Sequence, residues 1–184
     1  MTVDLFGLNT SDAVFSPCTA DHCADRDECE NHQHRPYRYR LMRTWDPDLP
    51  IIPFLMLNPS VAGRERNDPT IRRCMGFSRS WNYGGMIGLN LFGLRSTDPK
   101  GLIGHPDPIG PDNDQHISEV VTEHGAVILA WGSHRMVSPR AAVVLQMLAE
   151  LDVELLCLGR TQTGRPKHPL YVPYGDPIPY ERSA

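Results

Sequence analysis

Strand-like segments alternate with helical patterns along most of the chain, and this alternation limits the folds that it can adopt. The strand-like segments are residues 37–45, 51–57, 86–94, 125–132 and 152–159. The helical patterns are residues 69–81, 113–124 and 140–151. Parallel strands need such crossover helices, whereas antiparallel strands can be joined by tight turns. The sequence therefore predicts an α/β fold of three layers, α/β/α, with helices on both faces of a mostly parallel central sheet.

The extent of this domain follows from length and pattern. A chain of 184 residues is long enough for one domain with a sizeable core. We predict that residues 37–184 form a single α/β domain. Residues 1–36 are predicted to be an N-terminal extension, which contains a segment rich in cysteine and histidine at residues 18–34.

Charge and cysteine content indicate the cellular compartment and the kinds of partner to expect. A net charge of −4 is too mild to draw the whole molecule onto nucleic acid or a membrane, so any nucleic-acid contact must come from a local patch. No apolar run reaches the roughly 20 residues of a membrane helix, and no secretory signal is evident. Five cysteines do not indicate a disulfide framework here, and the isolated Cys74 and Cys157 are predicted to be core residues. We expect a cytoplasmic protein without membrane contact, and its oligomeric state is not indicated.

Short motifs mark where the helices begin. Asp68 before Pro69, and Ser138 before Pro139, pair a capping side chain with a proline suited to the first turn. Asp112 opens the helical pattern between them. These motifs predict three helix N-termini.

Polar side chains follow the predicted strands at the points where they end. In α/β sheets, ligands bind outside the carboxyl ends of the strands. The residues that this rule gathers near one rim are Asn58, Ser60, Asn90, Trp131, Thr161 and His168. The sequence therefore predicts a ligand site at this rim.

Several of these residues also have an interpretation that involves no ligand. Asn58 precedes a proline and is suited to capping a turn through its side chain. Trp131 is suited to core packing. His168 belongs to a basic loop that also contains Arg165 and Lys167.

Two residues are unusual within apolar strands. Pro53 interrupts a run that is otherwise typical of a central strand, and it indicates a bulge or an edge. Asn90 is costly to bury unless its amide is paired. The donors and the acceptor of that amide suit a planar partner such as the edge of a base.

A group of conspicuous aspartates has two interpretations. They could hold a divalent metal for phosphate chemistry, or they could cap helices and form turns, which we favour. The residues are Asp68, Asp98, Asp107, Asp112 and Asp114. No phosphate-binding glycine loop, dinucleotide fingerprint or nucleophile elbow accompanies them.

Six motifs in a fixed order give the chain a family resemblance over residues 36–175. The motifs are FLMLNPS, NDPTIRRCMGF, NLFGLRSTDP, DPIGPDND, ILAWG and GRPKHPLYV. The chain thereby resembles the bacterial and phage domain-of-unknown-function family 1643 (DUF1643). That family has no settled activity to carry over.

The order of motifs is also similar to that of the uracil-DNA glycosylase superfamily. LNPS stands where the superfamily has a catalytic Asp or Asn followed by proline. GLN stands where the superfamily has a strand with a base-reading asparagine. VILAWGSH occupies the place of an apolar strand that ends in Trp-Gly, and KHPLY that of a final His-Pro loop. The resemblance implies a uracil-DNA glycosylase-like fold.

The resemblance also implies roles for individual residues. Asn58 would position water, and His168 would donate a hydrogen bond to the departing base. Asn90 would read the base edge, and Phe77 would stack on a base flipped out of the duplex. The strand ends and the basic loop add Ser60, Trp131, Arg165 and Lys167 as further predicted substrate-binding residues.

This chain departs from the superfamily pattern at two positions. The best-known branch has Asp-Pro-Tyr where this chain has Asn58-Pro59-Ser60, and its usual serine after His-Pro is Leu170 here. An amide does not titrate usefully, so Asn58 can orient water but cannot act as a base.

These observations predict a nucleobase-recognising enzyme, specifically a DNA glycosylase-type hydrolase that acts on a flipped uracil-like or modified base without a cofactor. One alternative is a transferase that modifies nucleotides or DNA bases in a hypermodification pathway. Another is a non-catalytic nucleic-acid or nucleotide-binding module. In each case the partner is a nucleic acid or a nucleotide.

The cysteine- and histidine-rich segment predicts a separate metal site. Cys18, Cys23, Cys29 and His32 supply the donors of a structural Cys₃His zinc site, although their spacing is looser than usual. An acidic insertion with reduced thiols and an iron–sulfur cluster are the alternatives. The alternative fourth ligands are His22 and His34.

Overall fold

The computed structural model describes residues 10–16, 36–64, 66–134 and 137–181 of the chain. Its strands are β1 (Thr10–Phe15), β2 (Arg38–Thr44), β3 (Ile51–Met56), β4 (Gly85–Asn90), β5 (Ala126–Leu129), β6 (Glu154–Cys157) and β7 (Ile178–Pro179). Its α-helices are α1 (Pro69–Ser80), α2 (Asn113–His124) and α3 (Val137–Ala149), and short 3₁₀ helices cover Pro99–Leu102 and Pro169–Tyr171. A strand or a helix is present in each predicted segment, although β4 ends at Asn90 rather than at residue 94 and α3 begins at Val137 rather than at residue 140.

The seven strands form one mixed sheet in the order β1-β2-β4-β3-β5-β6-β7. The central neighbours β4–β3, β3–β5 and β5–β6 are parallel, whereas β1–β2, β2–β4 and β6–β7 are antiparallel. The prediction of a mostly parallel sheet is therefore correct only for the centre. The helices α1, α2 and α3 each follow one strand and return the chain for the next, but β2 leads to β3 through a turn at residues 45–50, which is too short for a crossover helix.

The strand β1 lies within the predicted N-terminal extension, residues 1–36, yet it belongs to the sheet. It pairs antiparallel with β2 from Thr10–Thr44 to Phe15–Arg38. Its sequence, TSDAVF, is short and half polar, so it carries little apolar periodicity by which to recognise a strand.

Pro53 lies in β3, a central strand, and the β3–β4 register continues through it without a shift. Alternate residues of a strand direct their backbone groups to opposite neighbours. The carbonyl of Leu55 accepts from Ala130 on the β5 side, so Pro53 also faces that side, where pairing begins only at Phe54. The missing N–H of Pro53 breaks no ladder hydrogen bond, and the predicted bulge or edge is wrong.

Apolar side chains fill both faces of the sheet. On β3, Ile52, Phe54 and Met56 pack in the cluster that includes α1, whereas Leu55 packs in the cluster that includes α2 and α3. This alternation follows from the two-residue period of a strand. The resulting arrangement has α1 on one face and α2 with α3 on the other. Both isolated cysteines are buried, as predicted; they are Cys74 and Cys157.

The helix starts agree with the predicted capping motifs to different degrees. The carboxylate of Asp68 accepts a hydrogen bond from the backbone N–H of Ile71 at 2.8 Å, which confirms its capping role. Asp112 occupies the N-cap position of α2 but makes no capping hydrogen bond. Ser138 lies inside the first turn of α3, which begins at Val137.

Two adjacent valines test how α3 contributes to stability. Val144 is 0% exposed against the sheet, whereas Val143 is 56% exposed on the outer face of the helix. We expect Val144→Ala to lower the free energy of unfolding by about 2 kcal/mol, because it removes buried methyl groups and leaves a cavity. Val143→Ala is the matched control and should change it by less than about 0.5 kcal/mol. Urea denaturation measures both, and equal effects would contradict the packing of α3.

Candidate functional site

A pocket of about 190 Å³ opens at the carboxyl ends of β3 and β4, on the sheet face that α1 covers. Its walls come from β2, from the ends of β3 and β4, from the start of α1 and from the loops after β4 and β6. The lining residues are Arg38, Met56, Leu57, Asn58, Ser60, Asp68, Thr70, Ile71, Asn90, Ser96, Thr97 and His168. Four residues of the predicted rim are thus brought together: Asn58, Ser60, Asn90 and His168.

Asn90 is the last residue of β4 and is only 2% exposed. Its backbone carbonyl accepts a hydrogen bond from the Asn113 side chain at 3.0 Å. Its own side-chain amide, by contrast, makes no hydrogen bond to any residue in the described part of the chain. A buried amide that lines a pocket without a protein partner is suited to bind a ligand.

The side chain of Asn58 both stabilises a turn and faces the pocket. Its Nδ2 donates to the backbone carbonyls of Pro59 and Ser96, each at 2.9 Å. These bonds stabilise the turn after β3 and fix the orientation of the amide. Within the described residues nothing donates to Oδ1, so this oxygen can accept a hydrogen bond from a water or a ligand.

His168 presents a defined tautomer. It caps the 3₁₀ helix Pro169–Tyr171, and its Nδ1 accepts from the backbone N–H of Leu170 at 3.3 Å. Burial lowers the pKa of His168 below its usual value, and the negative charge of Asp68 offsets part of that effect. A neutral ring whose Nδ1 is an acceptor carries its proton on Nε2, so His168 is a hydrogen-bond donor at neutral pH.

Two charged side chains complete the pocket. Arg38 was not predicted, and Asp68 was considered only as a helix cap or as a metal ligand. Arg38 is 3% exposed and donates to the backbone carbonyl of Ala62. Asp68 has the one carboxylate among the described residues that line the pocket. One of its oxygens accepts from Ile71, and the other is available to a water or a ligand.

Arg73 on α1 holds the segment that carries His168. Its guanidinium donates to the backbone carbonyls of Pro169 and Val172, at the two ends of the 3₁₀ helix. It also lies 3.9 Å from the ring centroid of Tyr174. These contacts attach the last loop of the domain to α1 and thereby position His168.

Phe77 and Trp131, both predicted to bind substrate, lie outside the pocket. Phe77 is buried two helical turns beyond the start of α1, where its ring packs 5.4 Å from that of Trp81 and 4.7 Å from that of Tyr174. Trp131 is buried in the core on the α2 and α3 side of the sheet. The structure places neither ring where it could stack on a base in this pocket.

The predicted basic residues and Thr161 take other positions. Arg165 donates to the backbone carbonyl of Ser133 at 3.1 Å and to the hydroxyl of Ser138 at 2.5 Å, so it holds the start of α3. Thr161 accepts from the backbone N–H of Arg165. Lys167 is exposed next to His168.

Sequence signals existed for some of the pocket residues that were not predicted. Arg38 belongs to a strand with three arginines, RYRLMRT, and a charged residue on a covered strand face needs a polar neighbour. Ser96 and Thr97 lie in the loop after β4, which the strand-end rule includes. The lining role of Thr70 has no sequence signal that we recognise, because a first-turn threonine is common in helices.

The described residues contain no cluster of three or more His, Cys, Asp or Glu side chains that could hold a metal ion. The prominent aspartates Asp68, Asp98 and Asp107 instead accept hydrogen bonds from nearby backbone N–H groups, which confirms capping and turn formation. The predicted zinc ligands lie outside the described residues, so that site stays a prediction. They are Cys18, Cys23, Cys29 and His32.

Fold and site together define a mixed α/β domain with an amide-containing polar pocket at the carboxyl edge of its parallel strands. The chain belongs to the family described as "Protein of unknown function (DUF1643)", which matches residues 38–170 and confirms the family predicted from the motifs. Searches of curated proteins and of solved structures give no match, so the resemblance to uracil-DNA glycosylases stays a prediction. None of the helices in the described ranges has the length and apolar character needed to traverse a bilayer.

Two buried asparagines provide a matched test of the site. The amide of Asn113 donates to the carbonyls of Asn90 and Leu91, whereas that of Asn90 has no such partner. Asn113→Ala should therefore lower the free energy of unfolding by about 2 kcal/mol, and Asn90→Ala by less than about 0.5 kcal/mol. Thermal and urea unfolding of the two variants measure this. A large loss in Asn90→Ala would mean that its amide is structural.

The titration of His168 tests its environment. Because its pKa is lowered in the folded state, the unfolded state binds the extra proton first as the pH falls. The stability that neutral His168 contributes is complete above about pH 6.5 and is lost as the pH falls from there through the folded-state pKa. NMR titration of the ring should give a midpoint below 6.5, and Asp68→Asn should lower it further. A midpoint above 6.5 would contradict a desolvated ring.

Proposed function

We propose that the pocket binds a nucleobase and that the protein hydrolyses the bond between that base and its sugar. The observation that carries the proposal is the amide of Asn90, which is buried, lines the pocket and lacks a protein partner. The order of motifs, which resembles that of the uracil-DNA glycosylases, also supports base binding and hydrolysis. The parallel centre of the sheet, with the pocket at its carboxyl ends, is compatible with such a fold.

Base recognition follows from the energetics of the amide. The Asn90 amide faces the pocket, where water can reach it. A ligand that displaces this water must offer a matching donor and acceptor, because leaving either group of the amide unpaired in the complex costs about 1–3 kcal/mol. An amide presents one acceptor and one donor side by side, so it complements an edge that places an N–H beside a carbonyl. Uracil and related bases have such an edge, which makes a uracil-like base the preferred ligand.

The other pocket residues supply the groups that hydrolysis needs. Water adds to the anomeric carbon of the sugar while the carbon–nitrogen bond breaks and its electron pair leaves with the base. Asn58 Oδ1 orients the water, and the free oxygen of Asp68 accepts its proton. His168 donates from Nε2 to the base carbonyl, where negative charge develops. The products are a free base, which takes up a proton, and a sugar with a hydroxyl at the anomeric carbon.

Binding is tested with free uracil, nucleosides, and single-stranded and duplex oligonucleotides that contain uracil. Calorimetry should detect binding to wild-type protein, and Asn90→Ala should weaken it at least tenfold, because one directional pair is worth about 1.4 kcal/mol or more. Asn82→Gly is the control, since Asn82 is exposed at positive φ and remote from the pocket. If no compound in this panel binds, the nucleobase proposal fails.

Turnover is tested by chromatographic detection of the released base. Asp68→Asn retains a good helix cap but removes the carboxylate, so kcat should fall about a hundredfold or more while binding changes little. His168→Ala should also slow the reaction more than it weakens binding, because its hydrogen bond strengthens as charge develops. Binding without release, even in wild-type protein, would refute hydrolysis and favour a transferase or a binding module.

A further inference from the structure

Four exposed cations lie close in sequence to residues that line the pocket. Arg66 precedes Asp68 by two residues, Arg72 follows Ile71, Lys100 follows the Ser96–Thr97 wall and Lys167 precedes His168. We call these four residues, Arg66, Arg72, Lys100 and Lys167, the basic rim.

Exposed carboxylates lie at both ends of the sheet. The end where β3, β5 and β6 begin carries the exposed Arg79 together with Asp48, Glu123, Glu150, Asp152 and Glu154. On the pocket side the exposed acids are Asp98, beside Lys100, and Asp112 at the start of α2. Beside the pocket, the four cations of the basic rim outnumber Asp98 and Asp112, so this part of the surface can attract a phosphate group.

An exposed aromatic ring lies next to the pocket residue His168. Tyr171 is 81% exposed, and its ring centroid lies 5.6 Å from that of His168. Leu170 beside it is also exposed. An exposed tyrosine ring among cations is the combination that proteins use to bind single-stranded nucleic acid, because successive bases stack on aromatic faces while phosphates contact cations.

We propose that the basic rim and Tyr171 form a binding surface for a single-stranded nucleic acid. This inference rests on the proposed nucleobase pocket. One nucleotide of the strand places its base in the pocket, the phosphates beside it contact the basic rim, and a neighbouring base stacks on Tyr171. A single strand fits better than a duplex because its base is already unpaired, so no base pair has to be broken when the base enters the pocket.

The test is fluorescence anisotropy of labelled 12-nucleotide single strands, made as DNA and as RNA, that contain the preferred base. Binding is measured at several salt concentrations. The wild-type protein should bind the single strand at least tenfold more tightly than the free nucleoside and than the matching duplex. The logarithm of the affinity should fall linearly with the logarithm of the salt concentration, and Arg72→Ala should reduce that slope by about 0.7. The DNA and RNA arms identify which strand is the ligand. Tyr171→Ala should weaken strand binding about tenfold.

Arg79 supplies the matched control, because it is exposed on the same helix as Arg72 but lies at the end of α1 remote from the pocket. Arg72→Glu should weaken strand binding at least tenfold, and Arg79→Glu should not. Equal losses in both, or a duplex that binds as tightly as the strand, would overturn the inference. Binding of the nucleoside without tighter binding of the strand would overturn it too, but would leave the proposed pocket standing. If neither binds, both proposals fail.

Discussion

The parallel pairing of β3 with β4 is the constraint on which the site depends. The register sets Met56 opposite Asn90, so the strand ends bring Asn58 and Asn90 to one corner of the sheet. Asn90 has the same parity in β4 as Met86, whose side chain packs on the α1 face. A shift of one residue in β4 would turn its amide into the apolar core on the other face, where nothing could pair with it. The crossover helix α1 begins beside the same corner, and its cap Asp68 closes the pocket.

The remaining walls come from parts of the chain that are far away in sequence, so they depend on tertiary contacts. Arg38 arrives on an antiparallel strand, and His168 on the loop after the last parallel strand. Arg73 attaches that loop to α1 through backbone carbonyls and through the ring of Tyr174. Helix α1 therefore fixes the position of Asp68 directly and that of His168 through Arg73. This explains how a pocket built from separate segments keeps a defined geometry without a metal site among the described residues.

The sequence predicts the centre of the fold well and its edges poorly. Apolar runs such as IIPFLML can be recognised as strands because a strand covered on both faces has few polar residues. TSDAVF is short and half polar, so it lacks this signal. The strand-end rule predicts Asn58, Ser60, Asn90 and His168 at one site, since it depends only on local pattern and on strand direction. It fails for Trp131, whose direction is set by packing. Phe77 follows from a resemblance of motif order, which does not specify the face of a helix.

Two side chains of opposite charge line the pocket and limit the kind of ligand that it can bind. Arg38 and Asp68 line the same small space with opposite charges, so the interior has no strong preference for an anion or a cation. A phosphate group there would gain one guanidinium but would meet a carboxylate and lose its hydration, which is costly in a partly buried site. A neutral planar ligand avoids that cost and can pair with the amide of Asn90 and with the donor of His168. The cations outside the pocket remain hydrated and can contact phosphates at little desolvation cost. Our proposal that the protein binds one base of a charged strand requires this separation of a neutral interior from a charged rim.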